Sequence, residues 1–290
     1  MPIIPLLFLL LALTISGCYK DSTIRIPEES NKVVLNLLLN KDSLMMARVT
    51  LSGRLNERQP MPEVTNAVVN LYENGTFKET LTPYVSAGRT YYRGNTLPKS
   101  GATYRVTANI PGYVEASGSD QIPDTVKTGE MRMTVAQANN WEVQSTISVQ
   151  LYDDVAVQNY YRVRLYTINE WVDSNGNGWR QKSQQYFETA EADLELFEEG
   201  NSGGEFYITD ALFNGRNPRF TFKTNTGGFK KMMVEITSLT YHSYNYLNSA
   251  SMSRVNNENG LSEQVIVYNN IVNGLGIIGG VAQREYVLVR

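Results

Sequence analysis

The stretch Glu142-Val143-Gln144-Ser145-Thr146-Ile147-Ser148-Val149-Gln150-Leu151 decides the fold class. Val143, Ser145, Ile147, Val149 and Leu151 fall on alternate positions, and successive side chains of a strand point to opposite faces. A helix repeat does not fit that spacing. Working outward, Tyr160 to Trp171 and Trp179 to Phe187 read as two more long strands, joined through Asp173-Ser174-Asn175-Gly176-Asn177-Gly178. Shorter strands are expected at 206–208, 220–223, 232–239, 264–268 and 285–289. Leu239 to Met252 breaks the pattern, because Leu239, Ser243, Tyr246 and Leu247 recur at spacings of three and four and predict a short amphipathic helix. Long antiparallel strands with one helix point to a β-barrel-like or strongly curled sheet, since closure removes exposed edges. A second sandwich is the alternative.

Upstream, Val33 to Leu39 is apolar at nearly every position and suits a strand buried on both faces. Arg48 to Leu55 and Val68 to Tyr72 alternate, and Glu73-Asn74-Gly75 supplies a turn. Thr90 to Arg93 and Thr103 to Ile110 follow. Short strands at even spacing read as a β-sandwich. The segment from Pro62 to Tyr72 is similar to the opening strands of immunoglobulin-like or transthyretin-like exported domains. A boundary is expected at Ile122-Pro123-Asp124-Thr125, separating a sandwich at 33–123 from a larger antiparallel domain at 124–290. The chain is therefore expected to be all-β.

Residues 1–17 carry no charged side chain and are dominated by Leu, Ile, Phe and Ala. The run is too short to span a bilayer and suits a signal peptide. It ends in Leu13-Thr14-Ile15-Ser16-Gly17-Cys18, which is similar to a bacterial lipobox, with Cys18 as the acylated residue. Diacylglycerol on the sulfur and an acyl group on the amine give stable anchoring where one chain would not. Residues 18–32 read as a tether. Lys20-Asp21 resembles a surface-export signal of Bacteroidota lipoproteins. Asp21-Ser22-Thr23, Asp42-Ser43-Leu44 and Asp124-Thr125-Val126 resemble an O-glycosylation motif of that phylum, with Ser22, Ser43 and Thr125 as acceptors. The expected location is the cell envelope, lipid-anchored to the outer membrane at the cell surface.

Cys18 is the only cysteine, so disulfides are not expected to hold the fold. The net charge of −3, without a basic run, argues against nucleic acid as a partner. Asp173-x-Asn175-x-Asn177-Gly178 matches the first half of a calcium loop. Its twelfth position is Gln184, which supplies no bidentate carboxylate, and a hairpin turn explains the same residues. Ca²⁺ is the one cofactor this motif admits, at Asp173, Asn175 and Asn177; otherwise no cofactor is expected. Trp171 and Trp179 flank the loop; packed together they are structural, and exposed they form a platform for a sugar or peptide. Glu191, Asp193, Glu195, Glu198 and Glu199 read as a solvated loop.

Catalysis is not expected. His242 is the only histidine, which excludes two-histidine zinc sites. No Gly-x-Ser-x-Gly elbow is present. Paired carboxylates for glycoside hydrolysis can come from distant segments, and that reading stays open. Gly274, Gly276, Gly279 and Gly280 are too widely spaced for a phosphate loop and are expected to permit a tight bend against a neighbouring strand.

Three blocks carry a family resemblance: Tyr152 to Val163, Asp210-Ala211-Leu212-Phe213-Asn214-Gly215, and Val267 to Gly280 with its Asn273-Gly274-Leu275-Gly276-Ile277. With the lipobox and Ile110-Pro111-Gly112-Tyr113, they resemble a Bacteroidota lipoprotein family known only as a domain of unknown function (DUF4249). Ile278 replaces the family's usual aromatic residue. The resemblance implies an accessory partner of a TonB-dependent transporter in nutrient capture or uptake, and brings no catalytic residues. Adhesion or matrix binding is the alternative role, and a carboxylate-based envelope glycoside hydrolase is the third.

Overall fold

The structure, a computed structural model, describes residues 31–53, 61–189, 204–258 and 265–290. Seven strands form the first half: β1 (Val33–Asn40), β2 (Met46–Leu51), β3 (Val68–Glu73), β4 (Thr76–Ser86), β5 (Arg89–Arg93), β6 (Thr103–Asn109) and β7 (Ala116–Gln121). They pair in the order β1-β2-β5-β4-β3-β6-β7. β4 turns the sheet over on itself. It pairs with β3 up to Leu81 and with β5 from Thr82 onward. Pro83, which lacks a backbone donor, lies beside this change of partner. The β3–β4 hairpin uses Asn74 and Gly75, both at positive φ, as its Asn-Gly dipeptide predicts. β1 contributes Val33, Leu35, Leu37 and Leu39 to the enclosed core, together with Leu71, Tyr92, Tyr104 and Val106. The expectation that β1 is buried on both faces needs correction at Leu38, which is exposed on the opposite face.

The second half contains β8 (Lys127–Gln137), β9 (Val143–Tyr152), β10 (Tyr160–Val172), β11 (Gly178–Gln185), β12 (Glu188–Thr189), β13 (Glu205–Thr209), β14 (Arg219–Thr226), β15 (Lys231–Leu239) and β16 (Leu275–Val289). Helix α1 (Tyr241–Glu258) lies between β15 and β16. A four-stranded sheet, β12-β14-β9-β8, shares one core with β10, β13 and β15 of the large sheet. Ile147, Val149 and Leu151 of β9 and Phe220 and Phe222 of β14 meet Tyr161, Val163 and Leu165 of β10 and Met232, Val234 and Ile236 of β15. The alternation that opens at Val143 therefore marks a face buried between sheets. Among the described residues the curled sheet does not close into a barrel. β11 and β7 remain at the ends of the large sheet, and β12 and β8 at the ends of the small one. Burial comes from two sheets facing each other, so closure is unnecessary for covering the apolar faces.

β16 joins the halves. Its first part, from Leu275, pairs in parallel with β1, and its second part, to Val289, pairs antiparallel with β15. Ile278 enters the first core, while Tyr286 and Leu288 pack on the second. The glycines expected at a bend lie mostly inside this strand. Only Asn273 and Gly274 turn. The helix starts at Tyr241 and ends at Glu258, later and longer than its apolar spacing implies. Val265–Tyr268, expected as a strand, has no strand pairing among the described residues. β4, β7 and β8 carry few buried apolar side chains, which hides them from a pattern-based reading. No described helix is long and apolar enough to cross a membrane.

Candidate functional site

Two of the resemblance blocks, Tyr152 to Val163 and Asp210 to Gly215, converge. Asp153, just after β9, accepts a hydrogen bond from the backbone N–H of Gly215 at 2.9 Å and others from Asn159 Nδ2 and the Tyr161 hydroxyl, both at 3.1 Å. Asp210, nearly fully buried, accepts from the Asn159 backbone N–H at 2.7 Å. The β9–β10 and β13–β14 connections are thus knitted through two carboxylates. Asp154 closes the turn, accepting from the Ala156 N–H at 3.0 Å. Tyr160 and Tyr161 pack on opposite faces, one beside α1 and one in the second core. Burial, then the Asp153 charge, pushes the Tyr161 hydroxyl well above the ordinary phenol range.

The third block holds the halves together from the other side. Asn270 imitates a strand neighbour, donating to the Ile278 carbonyl at 2.8 Å and accepting from the Ile278 N–H at 3.0 Å. Gly276 has a φ of +115°, and a Cβ there would lie 2.3 Å from the Leu35 carbonyl oxygen. Gly280 approaches the Gln121 carbonyl so closely that a Cβ would sit 1.7 Å from it. Beside it, Asp120 accepts from the Gly280 N–H at 2.8 Å, from the Gln121 N–H at 2.9 Å, and from the Thr240 hydroxyl. Burial pushes the Asp120 carboxyl above its ordinary value, against the pull of the hydrogen bonds from Thr240, Gly280 and Gln121. Thr240 also accepts from the Ser243 N–H at 3.2 Å and so caps α1.

Between the two halves lies an open cleft of about 960 Å³. One wall is the end of the first half, from Asp120 to Val126. The other combines the β9–β10 connection with Ser238 to His242. Tyr152, Val155, Val157 and Tyr241 are exposed on it. His242 Nδ1 lies 2.6 Å from the Tyr268 hydroxyl, and the two rings stack. Asp120 and Asp153 in its lining are held by backbone and side-chain donors, while Asp124 and Lys127 are exposed. Thr125, an expected glycosylation acceptor, is half-buried in this lining. Sequence reasoning did not find the cleft, because it exists only where five separated stretches of the chain meet.

The Asp173 loop is closed by its own atoms. Asp173 accepts from the Asn175 and Asn177 N–H groups, both at 2.8 Å, and from Asn177 Nδ2 at 2.9 Å. The Asn177 side chain foremost, with the backbone bonds and the Trp179 indole, holds this carboxyl below its ordinary value. Asn175 and Asn177 therefore serve Asp173, and among the described residues no cluster of three acidic, histidine or cysteine side chains gathers as a metal site. Trp171 and Trp179 stand directly opposite each other across β10 and β11. They are 47% and 57% exposed and border an open hollow of about 480 Å³ with Glu170, Arg180 and Lys230. Ser43 is exposed in the β1–β2 turn. Cys18, Ser22 and the acidic run from Glu191 to Glu199 lie outside the described residues.

A family profile described as "Domain of unknown function (DUF4249)" matches residues 20–286. No curated protein matches the chain. Among solved structures, bovine butyrophilin is similar at 10% identity with a TM-score of 0.22, over 72% of this chain and 92% of that one. A serine-rich repeat protein (Srr2) from Streptococcus agalactiae is similar at 11% identity with a TM-score of 0.18, over 89% and 92%. Scores this low carry no argument about fold or function.

Proposed function

The chain belongs to the DUF4249 family, and from that premise we propose that it is a lipid-anchored binding protein of the cell envelope, the accessory partner of a TonB-dependent transporter in nutrient capture or uptake. The observation that carries a binding role is the cleft between the two halves. Its volume suits a small ligand. Its exposed rim offers the rings of Tyr152 and Tyr241 and the aliphatic side chains of Val155 and Val157. Asp120 and Asp153, two of the four aspartates that line the cleft, are each held by three hydrogen bonds to groups that position backbone and core. Such a site favours holding a ligand over turning it over.

The anchor rests on the lipobox ending in Cys18, and the transporter partnership rests on the family resemblance. Both are tested by purifying the tagged, lipidated protein from native membranes in mild detergent and identifying what accompanies it by mass spectrometry. A near-stoichiometric TonB-dependent transporter is expected, together with acyl chains on Cys18 that disappear in Cys18→Ala. Recovery of the acylated protein alone overturns the partnership and leaves adhesion as the better reading.

A further inference from the structure

All three tryptophans of the chain are exposed, at 86% for Trp141, 47% for Trp171 and 57% for Trp179. Indole is usually among the more buried side chains, so three exposed rings in one chain require a reason. Their placement is not scattered. Lys231 of β15 pairs with Val289 of β16 and with Ile168 of β10, so the β10–β11 hairpin lies beyond the Val289 end of β16. Val143 pairs with Thr226, which leads directly to Lys231, so the β8–β9 turn bearing Trp141 lies at that same end. The described chain starts beside Leu275, at the opposite end of this fifteen-residue strand. At about 3.3 Å per residue, that separates the tryptophan end from the start of the fold by roughly 45 Å.

We propose that Trp171 and Trp179 form a stacking platform for an uncharged pyranose ring of a glycan, a site distinct from the cleft and independent of any transporter. Three features select that ligand chemistry. The two indoles are direct cross-strand neighbours on one face, which places their side chains side by side as a single apolar surface. The charges around them are already satisfied. Glu170 receives Lys231 at 2.8 Å and Arg180 at 3.8 Å, and Lys230 donates to the Glu170 carbonyl at 2.9 Å. Asp173 is spent on closing its loop. A site with apolar faces and internally paired charges suits a ligand with C–H faces and hydroxyl edges better than an ion. Third, the turn between the two strands is pre-organised: Asp173 closes it by accepting from Asn175 and Asn177, which fixes the hairpin that carries both rings. Pre-ordering the hairpin lowers the entropy lost on binding.

The test uses the full-length protein in detergent and follows intrinsic tryptophan fluorescence during titration with maltohexaose, cellohexaose, xylohexaose and mannohexaose. At least one of these neutral oligosaccharides is expected to bind. Trp171→Ala and Trp179→Ala are each expected to weaken that binding by about tenfold or more, while Trp141→Ala leaves it unchanged. Isothermal calorimetry reads the variants, because they lose a fluorophore. Circular dichroism confirms that they fold, as the exposure of both rings leads one to expect. Failure of all four sugars to bind overturns the proposal, as does binding that survives both substitutions. Loss of a co-purifying transporter in Trp171→Ala or Trp179→Ala, with no sugar binding, also overturns it and makes this end a protein-docking surface. A transporter that is absent while sugar binding persists refutes the accessory role and leaves the platform standing.

Discussion

At Gly280 the two halves of the fold touch through backbone. A Cβ there would meet the Gln121 carbonyl oxygen and carbon, neither of which can yield like the end of a flexible side chain. Gly280→Ala is therefore expected to destabilise the protein by about 3 kcal/mol or more, against about 0.5 kcal/mol or less for Gly227→Ala, whose Cβ meets open space. Urea unfolding of both variants checks the contrast. The neighbouring Asp120 makes stability depend on pH. Its folded pKa lies above the unfolded value because burial outweighs the hydrogen bonds from Thr240, Gly280 and Gln121. In the window between those two values the native state holds more protons, so the Asp120 contribution falls as pH rises through it and is flat above. Unfolding midpoints of wild type and Asp120→Asn, compared from about pH 4 to 7, should diverge in that direction. Parallel curves would show that Asp120 titrates alike in both states.

Among elements, the outer face of β10, β13 and β15 carries a charge cluster that the alternation of these strands does not announce. Arg164 pairs with Glu235 at 2.5 Å and Glu205 at 3.3 Å, and Arg162 reaches Glu235 at 3.5 Å. Glu235 is 2% exposed. Removing it leaves two guanidinium groups with one carboxylate, so Glu235→Ala is expected to cost about 3–5 kcal/mol. Thermal unfolding measures this, and a loss within error would mean that water replaces the carboxylate. α1 shows why boundaries are harder to read than elements. Ser243 donates to the Gly280 carbonyl at 2.9 Å and Tyr246 to Asn36 at 3.2 Å, so its inner face is held by polar groups as much as by Tyr244 and Leu247. Its last turns, from Ser253, carry no apolar stripe to mark them.

On the scale of the whole molecule, β16 is shared. Without it, β1 loses a partner along its length and Ile278 leaves the first core, while β15 loses its partner and Tyr286 and Leu288 leave the second. The halves are accordingly expected to unfold in one transition. Hydrogen exchange in rising urea should show amides of β1 and β15 losing protection at the same midpoint, and two separated midpoints would show that the shared strand does not couple them. By itself the sequence determined the all-β class, most long strands, the Asn74-Gly75 turn and the place of the helix. Those follow from alternation, apolar spacing and turn chemistry, which are local. It also supported family membership, through blocks of which two, Tyr152 to Val163 and Asp210 to Gly215, prove to be bonded to each other. Only the tertiary structure decided that two facing sheets replace a barrel, and that the glycine block lies within a strand pressed against Gln121 and Leu35. It alone showed the cleft, because Asp120, Asp153 and His242 come from segments that approach only after long-range pairing. It alone showed the exposed tryptophans, because the exposure of a ring depends on where its strand runs past the packed sheet, and no local pattern encodes that.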